Sequence, residues 1–440
     1  MAKPSARTAV SIPLPWRSPI DAFAPLRDET GALLLQGGGP RASRSYVTAF
    51  PDFRIVETDP ATGFEALSAA HRWRAPLDAP GFAGGFAGLF SYEFGRAFED
   101  WPSSPPGLSS WPAVAMGWYE AVAVFDLERR WLEVRGEAAA AARLAAALGE
   151  GDTALNAGAG RIEMVWTAER YLEAVRSARR YVRAGDAFQV NLSHPFRGSI
   201  PGADAPFALI ERLSKASPAA YSAYLRLEAD RAVVTNSPER FFHLAADGRV
   251  ETRPIKGTRP RAADPKQDAA LVRALQDSQK DRAENLMIVD LMRNDLSRVC
   301  RPGSVETPEL FQVESYSNVH HLVSTVRGAL DHGRSVYDLL AASFPPGSIT
   351  GAPKPRAMEI IAELEGEARG PYCGALGWIG ADGASDLNVM IRTAACVRQG
   401  EDWAVEVRSG GAITIDSDPE DELAETQAKA GALRKAITDA

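Results

Sequence analysis

The segment Glu251-Thr-Arg-Pro-Ile-Lys256-Gly-Thr-Arg-Pro-Arg261 lies near the middle of the chain. Side chains alternate from Arg249 to Ile255, which predicts a strand that ends at Lys256-Gly257, where glycine permits a tight turn. Lys256 would then lie among three cations, Arg253, Arg259 and Arg261. Crowded positive charge lowers the pKa of an ammonium group, so the segment predicts an amine able to act as a nucleophile. A solvated basic loop is the simpler alternative.

Length and composition are typical of a globular protein of two or three domains. The 440 residues are 45% hydrophobic and 24% charged, with a net charge of −8 and no long basic run. We therefore expect no nucleic-acid partner. No signal-like or membrane-length apolar stretch occurs, so we expect no membrane partner and a cytoplasmic location. The cysteines Cys300, Cys373 and Cys396 lack metal-ligand spacing, which is typical of inert thiols in a reducing compartment.

Two units are predicted, spanning residues 15–150 and 165–438, joined by a linker at residues 151–164 that is rich in glycine. The second unit opens with a capping-box pattern at Thr167, which predicts a helix to about Ala184.

Two glutamates in the second unit are candidates for chemistry. Glu239 precedes a predicted hairpin whose geometry can bring it close to Lys256, although a glutamate beside an arginine is also an ordinary surface pair. Glu284 shares one side of a predicted helix, residues 280–299, with Ile288 and Leu291. A carboxylate on an apolar stripe must be paired, protonated or bound to a cation, so a buried salt bridge and a metal site are both open.

The last helix carries a further group of charges. Asp418 as the N-cap and Pro419 at the first position predict its start. One face of this helix carries Glu422, Glu425 and Lys429. They are either surface ion pairs, each stabilising the helix by ~0.3 kcal/mol, or metal-binding carboxylates beside a substrate-binding amine. Oxygen ligands without a histidine cluster indicate Mg²⁺ rather than Zn²⁺.

Three more segments present polar groups. The glycine-proline loop at residues 344–354 leads into a predicted helix. Because free amides at a helix start bind anions, this loop is a candidate anion site. A predicted strand at residues 387–395 presents Arg392. In the predicted strand at residues 319–326, His320 and His321 face opposite sides, so one of them should be buried.

These motifs, in this order, resemble those of the chorismate-utilising enzymes. Residues ~165–435 resemble the catalytic domain that anthranilate synthase component I, isochorismate synthases and aminodeoxychorismate synthase component I share, and residues ~15–150 resemble the N-terminal domain of the amino-transferring members. The resemblance implies an α+β fold, a sandwich of two large packed antiparallel β-sheets flanked by helices. Chorismate is the implied substrate.

The residue between Pro-Ile and Gly-Thr distinguishes two types within this family. Anthranilate synthases have alanine there and aminodeoxychorismate synthases have lysine, so Lys256 resembles the second type. That type transfers an amino group to chorismate, giving 4-amino-4-deoxychorismate for 4-aminobenzoate and folate biosynthesis. No glutaminase motif is visible, which implies a separate glutamine amidotransferase subunit that supplies ammonia. Anthranilate synthase component I and a non-catalytic metabolite-binding module are the alternatives.

The resemblance also implies a role for each candidate residue. Lys256 would be the nucleophile, Glu239 the general acid and His321 a further catalytic residue. The residues implied to bind substrate are Ser348, Tyr372, Arg392, Gly410 and Lys429. Those implied to hold Mg²⁺ are Glu284, Glu422 and Glu425.

Overall fold

Two large antiparallel sheets dominate the architecture. The computed structural model describes residues 6–38, 43–72, 74–79, 81–149, 155–316 and 319–439. Over these residues one sheet has twelve strands, in the order β11-β12-β24-β23-β14-β13-β3-β4-β9-β10-β2 with β20 paired to β12. The other has ten, in the order β17-β19-β16-β15-β22-β21-β7-β8-β5 with β18 paired to β19. The predicted α+β sandwich is confirmed.

The elements have the following bounds. The described helices are α1 (Pro19–Phe23), α2 (Pro60–Arg72), α3 (Ala138–Ala147), α4 (Ala168–Ala184), α5 (Ala205–Ala216), α6 (Pro265–Gln276), α7 (Gln279–Ser297), α8 (Val336–Ser343), α9 (Lys354–Glu365) and α10 (Pro419–Thr438). The strands before α4 are β1 (Arg7–Thr8), β2 (Val10–Leu14), β3 (Leu33–Gly37), β4 (Arg44–Thr48), β5 (Phe53–Glu57), β6 (Leu77–Asp78), β7 (Gly85–Phe90), β8 (Val114–Tyr119), β9 (Ala121–Asp126), β10 (Trp131–Gly136) and β11 (Arg161–Met164). The later strands are β12 (Gln189–Ile200), β13 (Tyr221–Glu228), β14 (Arg231–Ser237), β15 (Arg240–Leu244), β16 (Arg249–Thr252), β17 (Ile255–Pro260), β18 (Glu306–Ser315), β19 (Val319–Ala329), β20 (Gly351–Ala352), β21 (Ala375–Gly380), β22 (Ser385–Val389), β23 (Thr393–Gln399) and β24 (Asp402–Ile413).

The two sheets pack on each other through aliphatic and aromatic side chains. One buried cluster combines Val122 and Leu225 of the larger sheet with Leu89 and Leu376 of the smaller one. Strands from both predicted sequence units enter each sheet. The division of the chain into two units stays a prediction, and residues 151–154 of the predicted linker lie outside the described residues.

Capping signals in the sequence set the helix starts that matter for the site. The side chain of Thr167 accepts a hydrogen bond from the amide of Arg170 at the start of α4. The predicted capping box is only half formed, because Arg170 has no acceptor to return to the amide of Thr167. The Asp418 carboxylate accepts from the amides of Glu420 and Asp421 at the start of α10. α10 therefore begins at Pro419, as predicted.

The predicted strand through Arg249–Ile255 is wrong in its end point. β16 ends at Thr252, and β17 starts at Ile255, so Lys256 lies within a second strand rather than after the first. Gly257 has φ +86°, and the register of β17 against β19 shifts between Ile255 and Thr258. Glycine thus serves a bulge here and not a hairpin turn.

The predicted strand at residues 387–395 is also wrong, because it is two strands. β22 ends at Val389 in the ten-stranded sheet, and β23 begins at Thr393 in the twelve-stranded sheet. Arg392 lies where the chain crosses between the sheets, and its φ of +52° is in the left-handed region. Such strained backbone clusters at functional sites.

Other features of the chain bear on the general predictions. No helix among the described residues is long and apolar enough to cross a membrane. Cys300, Cys373 and Cys396 are all free thiols and buried, as predicted for inert cysteines.

Candidate active site

A cavity of about 650 Å³ brings the predicted site residues together. It lies where β17 and β19 of the smaller sheet meet β24, α7, α10 and the loop before α9. Every candidate named from the sequence lines it: Glu239, Lys256, Glu284, His321, Ser348, Tyr372, Arg392, Gly410, Glu422, Glu425 and Lys429. Residues from across the second predicted unit thus converge on one space.

Lys256 presents a partly exposed amine to this cavity. Its Nζ donates a hydrogen bond of 3.4 Å to the carbonyl oxygen of Ser348. Burial lowers the pKa of Lys256, and Lys429 adds to this effect, while Glu284 and Glu239 oppose it. More uncharged amine is therefore present at neutral pH than on an exposed lysine, which is the state a nucleophile needs.

The direction of this pKa shift agrees with the sequence prediction, but the predicted cause is wrong. The three arginines near Lys256 in sequence are each paired with an acid, namely Arg253 with Glu314, Arg259 with Asp281 and Arg261 with Asp268. Paired guanidinium groups exert little net repulsion on the amine. Removal of the Lys256 side chain from bulk water is the main cause instead.

Glu239 lies across the cavity as a buried carboxyl group. It directly precedes β15, which pairs with β16 as the predicted hairpin, and it is 5% exposed. Burial raises its pKa to about 7, although the nearby Ser348 hydroxyl, Lys256 and Lys429 each act to lower it. A carboxyl group with such a pKa is substantially protonated near neutral pH and can donate a proton.

His321 is a neutral imidazole in this setting. Its pKa falls to about 3, mainly because of burial, with smaller effects from the nearby Arg392 and His320. Its Nδ1 and the Thr258 hydroxyl share a hydrogen bond of 2.9 Å. His320 faces away from the cavity, with Nε2 3.0 Å from Asp268. Both histidines are buried, where the sequence predicted one, and a catalytic role for His321 stays a prediction.

Several polar side-chain groups that face the cavity have no ion-pair or hydrogen-bond partner among the described residues. Arg392 is half-buried, and this partial removal from water lowers its pKa against the opposing effect of Glu239. Among the described residues, no ion pair or hydrogen bond is formed by its guanidinium group, although its backbone carbonyl oxygen accepts from the amide of Asn236. The Ser348 hydroxyl lies close enough to Glu239 to affect its pKa but outside hydrogen-bonding geometry, and no described residue partners it. Tyr372 is 7% exposed beside them. Unpaired buried donors of this kind favour an anionic ligand.

The C-terminal helix contributes a cation and two acids. Lys429 Nζ lies 2.7 Å from Glu425 and donates to the carbonyl oxygen of Gly410 at 3.0 Å. The Glu422 carboxylate accepts from the Ser417 hydroxyl at 2.7 Å. The carbonyl of Gly410 is thus engaged by Lys429 in this structure.

The three acids predicted to hold Mg²⁺ influence one another across the cavity. Burial raises the pKa of both Glu284 and Glu422, and the charge of Glu425 raises each further. Burial also acts on Glu425, but Lys429 outweighs it and lowers the pKa of Glu425. Within the described part of the chain, no three His, Cys, Asp or Glu side chains already converge closely enough to hold a metal ion.

The sequence reasoning missed other residues that line the cavity. Asn191, Lys280, Arg408 and Ser409 all belong to its wall. Asn191 is 7% exposed, and no described residue hydrogen bonds to its Oδ1. The alternation along β12 could have indicated that Asn191 faces one side, but not that this side is the cavity.

A second cavity, of about 400 Å³, contains none of the predicted site residues. Its wall includes Gln36, Tyr46, Tyr221, Trp378 and Asp386. The first cavity holds the amine of lowered pKa, Lys256, and the carboxyl group of raised pKa, Glu239, and it is therefore the better candidate for catalysis.

Comparison with known proteins identifies the family. A family model described as chorismate binding enzyme matches residues 37–435. The chain belongs to the chorismate-binding enzyme family. The family implied by the sequence motifs is therefore confirmed.

Relatives in this family carry two kinds of name. Aminodeoxychorismate synthase component 1 of Klebsiella aerogenes is 40% identical, over 94% of this chain and 96% of its own. Anthranilate synthase component 1 of Streptomyces coelicolor is 41% identical, over 96% of this chain and 86% of its own. Anthranilate synthase component I from Streptococcus pneumoniae has a similar crystal structure, with a TM-score of 0.78 at 28% identity, covering 90% of this chain and 93% of its own.

Proposed function

We propose that this member of the chorismate-binding family acts in the cytoplasm as an aminodeoxychorismate synthase component I. It would convert chorismate and ammonia to 4-amino-4-deoxychorismate, the precursor of 4-aminobenzoate for folate, with ammonia from a glutamine amidotransferase subunit. The supporting observation is that Lys256 and Glu239 line one cavity with pKa values displaced toward neutrality from opposite sides. A nucleophile that is partly free and an acid that is partly protonated can therefore coexist at the same pH.

Two displacements would then replace one direct substitution. The Lys256 amine adds to C2 of the chorismate ring, both ring double bonds shift, and the C4 hydroxyl leaves as water with the proton of Glu239. Ammonia next attacks C4, both double bonds shift back, and the amine of Lys256 leaves C2. One proton lost from each attacking nitrogen restores the acid and the amine, so chorismate and ammonia give the product and water. Covalent catalysis divides a difficult step into two easier ones.

The cations of the cavity would bind the two carboxylates of chorismate. Arg392 is the strongest candidate, because it lines the cavity half-buried and its guanidinium has no ion-pair partner among the described residues. Tyr372 and the Ser348 hydroxyl can add hydrogen bonds, and Lys429 can exchange its contact with the Gly410 carbonyl for a substrate oxygen. The neutral imidazole of His321 would hydrogen bond to substrate without adding charge.

The acidic residues fit a divalent cation. Glu284, Glu422 and Glu425 would hold Mg²⁺, and a bound cation would offset the burial, and the smaller effect of the Glu425 charge, that raise the pKa of the first two. Mg²⁺ usually binds one or two carboxylates together with water and substrate oxygens, so a complete protein cage is not needed beforehand. When bound, the ion supplies positive charge that neutralises the ring carboxylate of chorismate.

Anthranilate synthase component I is the alternative, because relatives with that name are similarly identical to this chain. Lys256 disfavours it, since a lysine nucleophile is implied for amination at C4 and not for amination at C2. The test is to incubate the protein with chorismate, Mg²⁺ and an ammonium salt and separate the products chromatographically. Formation of 4-amino-4-deoxychorismate supports the proposal. Anthranilate with pyruvate would support the alternative, and no turnover would favour a binding module.

A further inference from the structure

A buried arginine, Arg369, lies behind the wall of the cavity, shortly after α9. It is 2% exposed and does not itself line the cavity. Its Nη2 and Nε donate to the two carboxylate oxygens of Glu365 at 2.6 and 3.1 Å. The guanidinium also lies 4.7 Å from the ring centre of Tyr92 and 5.8 Å from that of Tyr372. The ion pair uses two of the five N–H groups of a guanidinium, which leaves three for other acceptors.

The other hydrogen bonds of Arg369 go to the backbone of two segments of the cavity wall. Nη1 donates to the carbonyl oxygen of Ile349 at 3.0 Å, and Nη2 donates to that of Asn191 at 2.7 Å. Both Asn191 and Ile349 line the cavity. The amide of Asn191 in turn donates to the carbonyl oxygen of Thr350 at 2.8 Å. One guanidinium therefore ties β12 to the loop before α9.

The carboxylate of Glu365 connects this guanidinium to a third segment of the wall, β24. It accepts from Nη2 of Arg408 at 3.0 Å, and from the amide and hydroxyl of Ser193 at 2.8 and 2.9 Å. Arg408 lines the cavity. A buried ion cluster is weak evidence for stability, because the cost of removing charges from water offsets their attraction. The contacts with β12, β24 and the loop instead indicate a role in fixing these wall segments relative to one another.

The loop that Arg369 holds at Ile349 carries Ser348 one position earlier. The carbonyl oxygen of Ser348 accepts from the Lys256 amine at 3.4 Å, and its hydroxyl lies close to Glu239. No described residue hydrogen bonds to that hydroxyl, so the Ser348 side chain does not hold the loop in place. A shift of Ile349 would thus move Ser348 relative to both predicted catalytic groups.

The two ends of this loop have a separate anchor. Lys354, the first residue of α9, donates to the carbonyl oxygen of Ser343, the last residue of α8, at 2.8 Å. The same amine lies 2.8 Å from the carboxylate of Asp295 on α7. Lys354 closes the ends of the loop but leaves its middle free to move. Arg369 and the Asn191 amide supply the contacts that fix the middle.

We propose that Arg369 is a positioning residue, which holds Ser348 where it reaches both Lys256 and Glu239. The inference rests on the proposed function, in which these two groups are the nucleophile and the acid. Arg369 acts from behind the wall and touches no reacting atom. A lysine at this position keeps a charge for Glu365, but a single ammonium group does not reproduce the planar fork that also reaches two carbonyl oxygens.

The test is a pair of variants and their combination, Arg369→Lys, Ser348→Ala and the double variant. We expect Arg369→Lys to lower kcat/KM for chorismate at least about tenfold, because small misplacements of reacting groups are costly. The Ser348 hydroxyl lowers the pKa of Glu239, as do Lys256, Lys429 and Arg392. Its displacement should therefore move the limb of the pH profile near pH 7 to higher pH, by about half a unit or more.

Ser348→Ala should move this limb in the same direction. The double variant should move it no further than Ser348→Ala alone, because both changes remove the same contact. A merely structural role for Arg369 would leave the limb in place, or would give shifts that add in the double variant. Either result would overturn the proposal.

Arg226→Lys is the matched control. Arg226 is also buried, at 3% exposed, lies 3.0 Å from Asp28 and is stacked 4.7 Å from the ring centre of Trp403, but it is not part of the cavity wall. We expect a fall in Tm for both lysine variants and a shifted pH profile only for Arg369→Lys. The same shift in Arg226→Lys would contradict a specific role for Arg369.

A second variant applies if Arg369→Lys does not fold. The Glu93 carboxylate accepts from the amides of Arg369 and Gly370 at 2.8 and 3.1 Å. Glu93→Gln replaces one of these acceptor oxygens by a donor, so it should displace Arg369 and shift the limb in the same direction. An unchanged profile in Glu93→Gln would then overturn the proposal.

Failure of the parent protein to make 4-amino-4-deoxychorismate would refute the proposed function instead. The positioning would still be tested by the pKa of the Glu239 carboxyl group, which does not depend on the product. Infrared difference titration of each variant against its Glu239→Gln counterpart measures it. An equal pKa of Glu239 in the parent and in Arg369→Lys would overturn the positioning role.

Discussion

The amine of Lys256 lies 3.4 Å from the backbone carbonyl oxygen of Ser348. A carbonyl oxygen accepts a hydrogen bond but carries no full negative charge, so it can orient the amine without strongly stabilising the ammonium form. The Ser348 hydroxyl, by contrast, is near Glu239 on the other side of the same residue. Ser348, in the loop before α9, therefore lies close to both predicted catalytic groups. Its carbonyl oxygen is near Lys256 and its hydroxyl group is near Glu239.

Replacement of the nucleophile should abolish the normal reaction. We expect Lys256→Met to lower the rate of 4-amino-4-deoxychorismate formation by roughly 10³-fold or more, the scale seen when a covalent nucleophile is removed. Any residual product should shift toward anthranilate. Chromatographic product analysis measures both, with Lys266→Met, an exposed lysine of α6, as the control. Aminodeoxychorismate formation by Lys256→Met at the parent rate would refute covalent catalysis.

The acid role of Glu239 predicts a pH profile. Because its pKa is raised to about 7, the protonated form is present below that pH and is lost above it. Because the reaction also needs the Lys256 amine uncharged, we expect kcat/KM for chorismate to follow a bell-shaped pH profile, with pH 7 near one limb, and Glu239→Gln to be strongly impaired at every pH. The measurement is kcat/KM from pH 5.5 to 8.5 with saturating ammonia. A flat profile across that range in the parent protein would contradict the assignment.

Local patterns in the sequence predicted where helices start, but they did not predict which charged residues pair with each other. Asp418 and Pro419 predicted the start of α10 because capping involves only neighbouring residues. The partner of Arg253 is Glu314, on a distant strand, and no local pattern shows that pairing. Arg392 was assigned to a strand because its neighbours are apolar, yet the chain changes sheets there. Such a crossing depends on tertiary packing rather than on periodicity.

The resemblance supplied what local patterns could not. The eleven residues it implied all line one cavity, although they come from separate strands, loops and helices. Asn191 and Arg408 were missed because nothing in their own segments distinguishes a cavity wall from an ordinary sheet face. Burial and long-range charge, which decide the pKa of Lys256 and Glu239, became visible only with the fold.

Burial of Glu239 should also cost stability at high pH. A carboxyl group whose pKa is raised by folding holds its proton more tightly in the folded state, so its unfavourable contribution grows from about pH 4.5 and is complete above about pH 7. The difference corresponds to at most about 3 kcal/mol at ~1.36 kcal/mol per pH unit. We expect Glu239→Gln to raise Tm relative to the parent at pH 8 and by much less at pH 5. An equal change in Tm at both pH values would contradict the raised pKa.

The acidic face of the cavity predicts a metal dependence. Glu284→Gln and Glu422→Gln should each raise the Mg²⁺ concentration needed for half-maximal activity roughly tenfold or more, because each removes a charged oxygen donor. Titration of Mg²⁺ into EDTA-treated protein measures this concentration. Glu420→Gln is the control, since Glu420 lies two residues from Glu422 but its side chain is 66% exposed. Identical titrations for Glu284→Gln and the parent would remove Glu284 from the ligand set.

Arg392 should bind a substrate carboxylate. A hydrogen bond to a charged group contributes about 1.5–3 kcal/mol, so Arg392→Ala should raise KM for chorismate by roughly 10- to 100-fold, with a smaller effect on kcat. Arg392→Lys keeps the charge but loses the planar two-pronged geometry, and should recover only part of the affinity. Steady-state kinetics with varied chorismate measure both.

Arg398→Ala is the matched control for Arg392, because Arg398 lies in β23, which begins directly after Arg392, but donates to the carbonyl oxygen of Gly400 outside the cavity. Circular dichroism and Tm should match between the two alanine variants if Arg392 acts only on substrate. Without ligand, the guanidinium of Arg392 is half-buried and has no ion pair among the described residues, so its removal should leave stability unchanged or raise it. Loss of stability with an unchanged KM would assign Arg392 to the crossing between the sheets and not to chorismate.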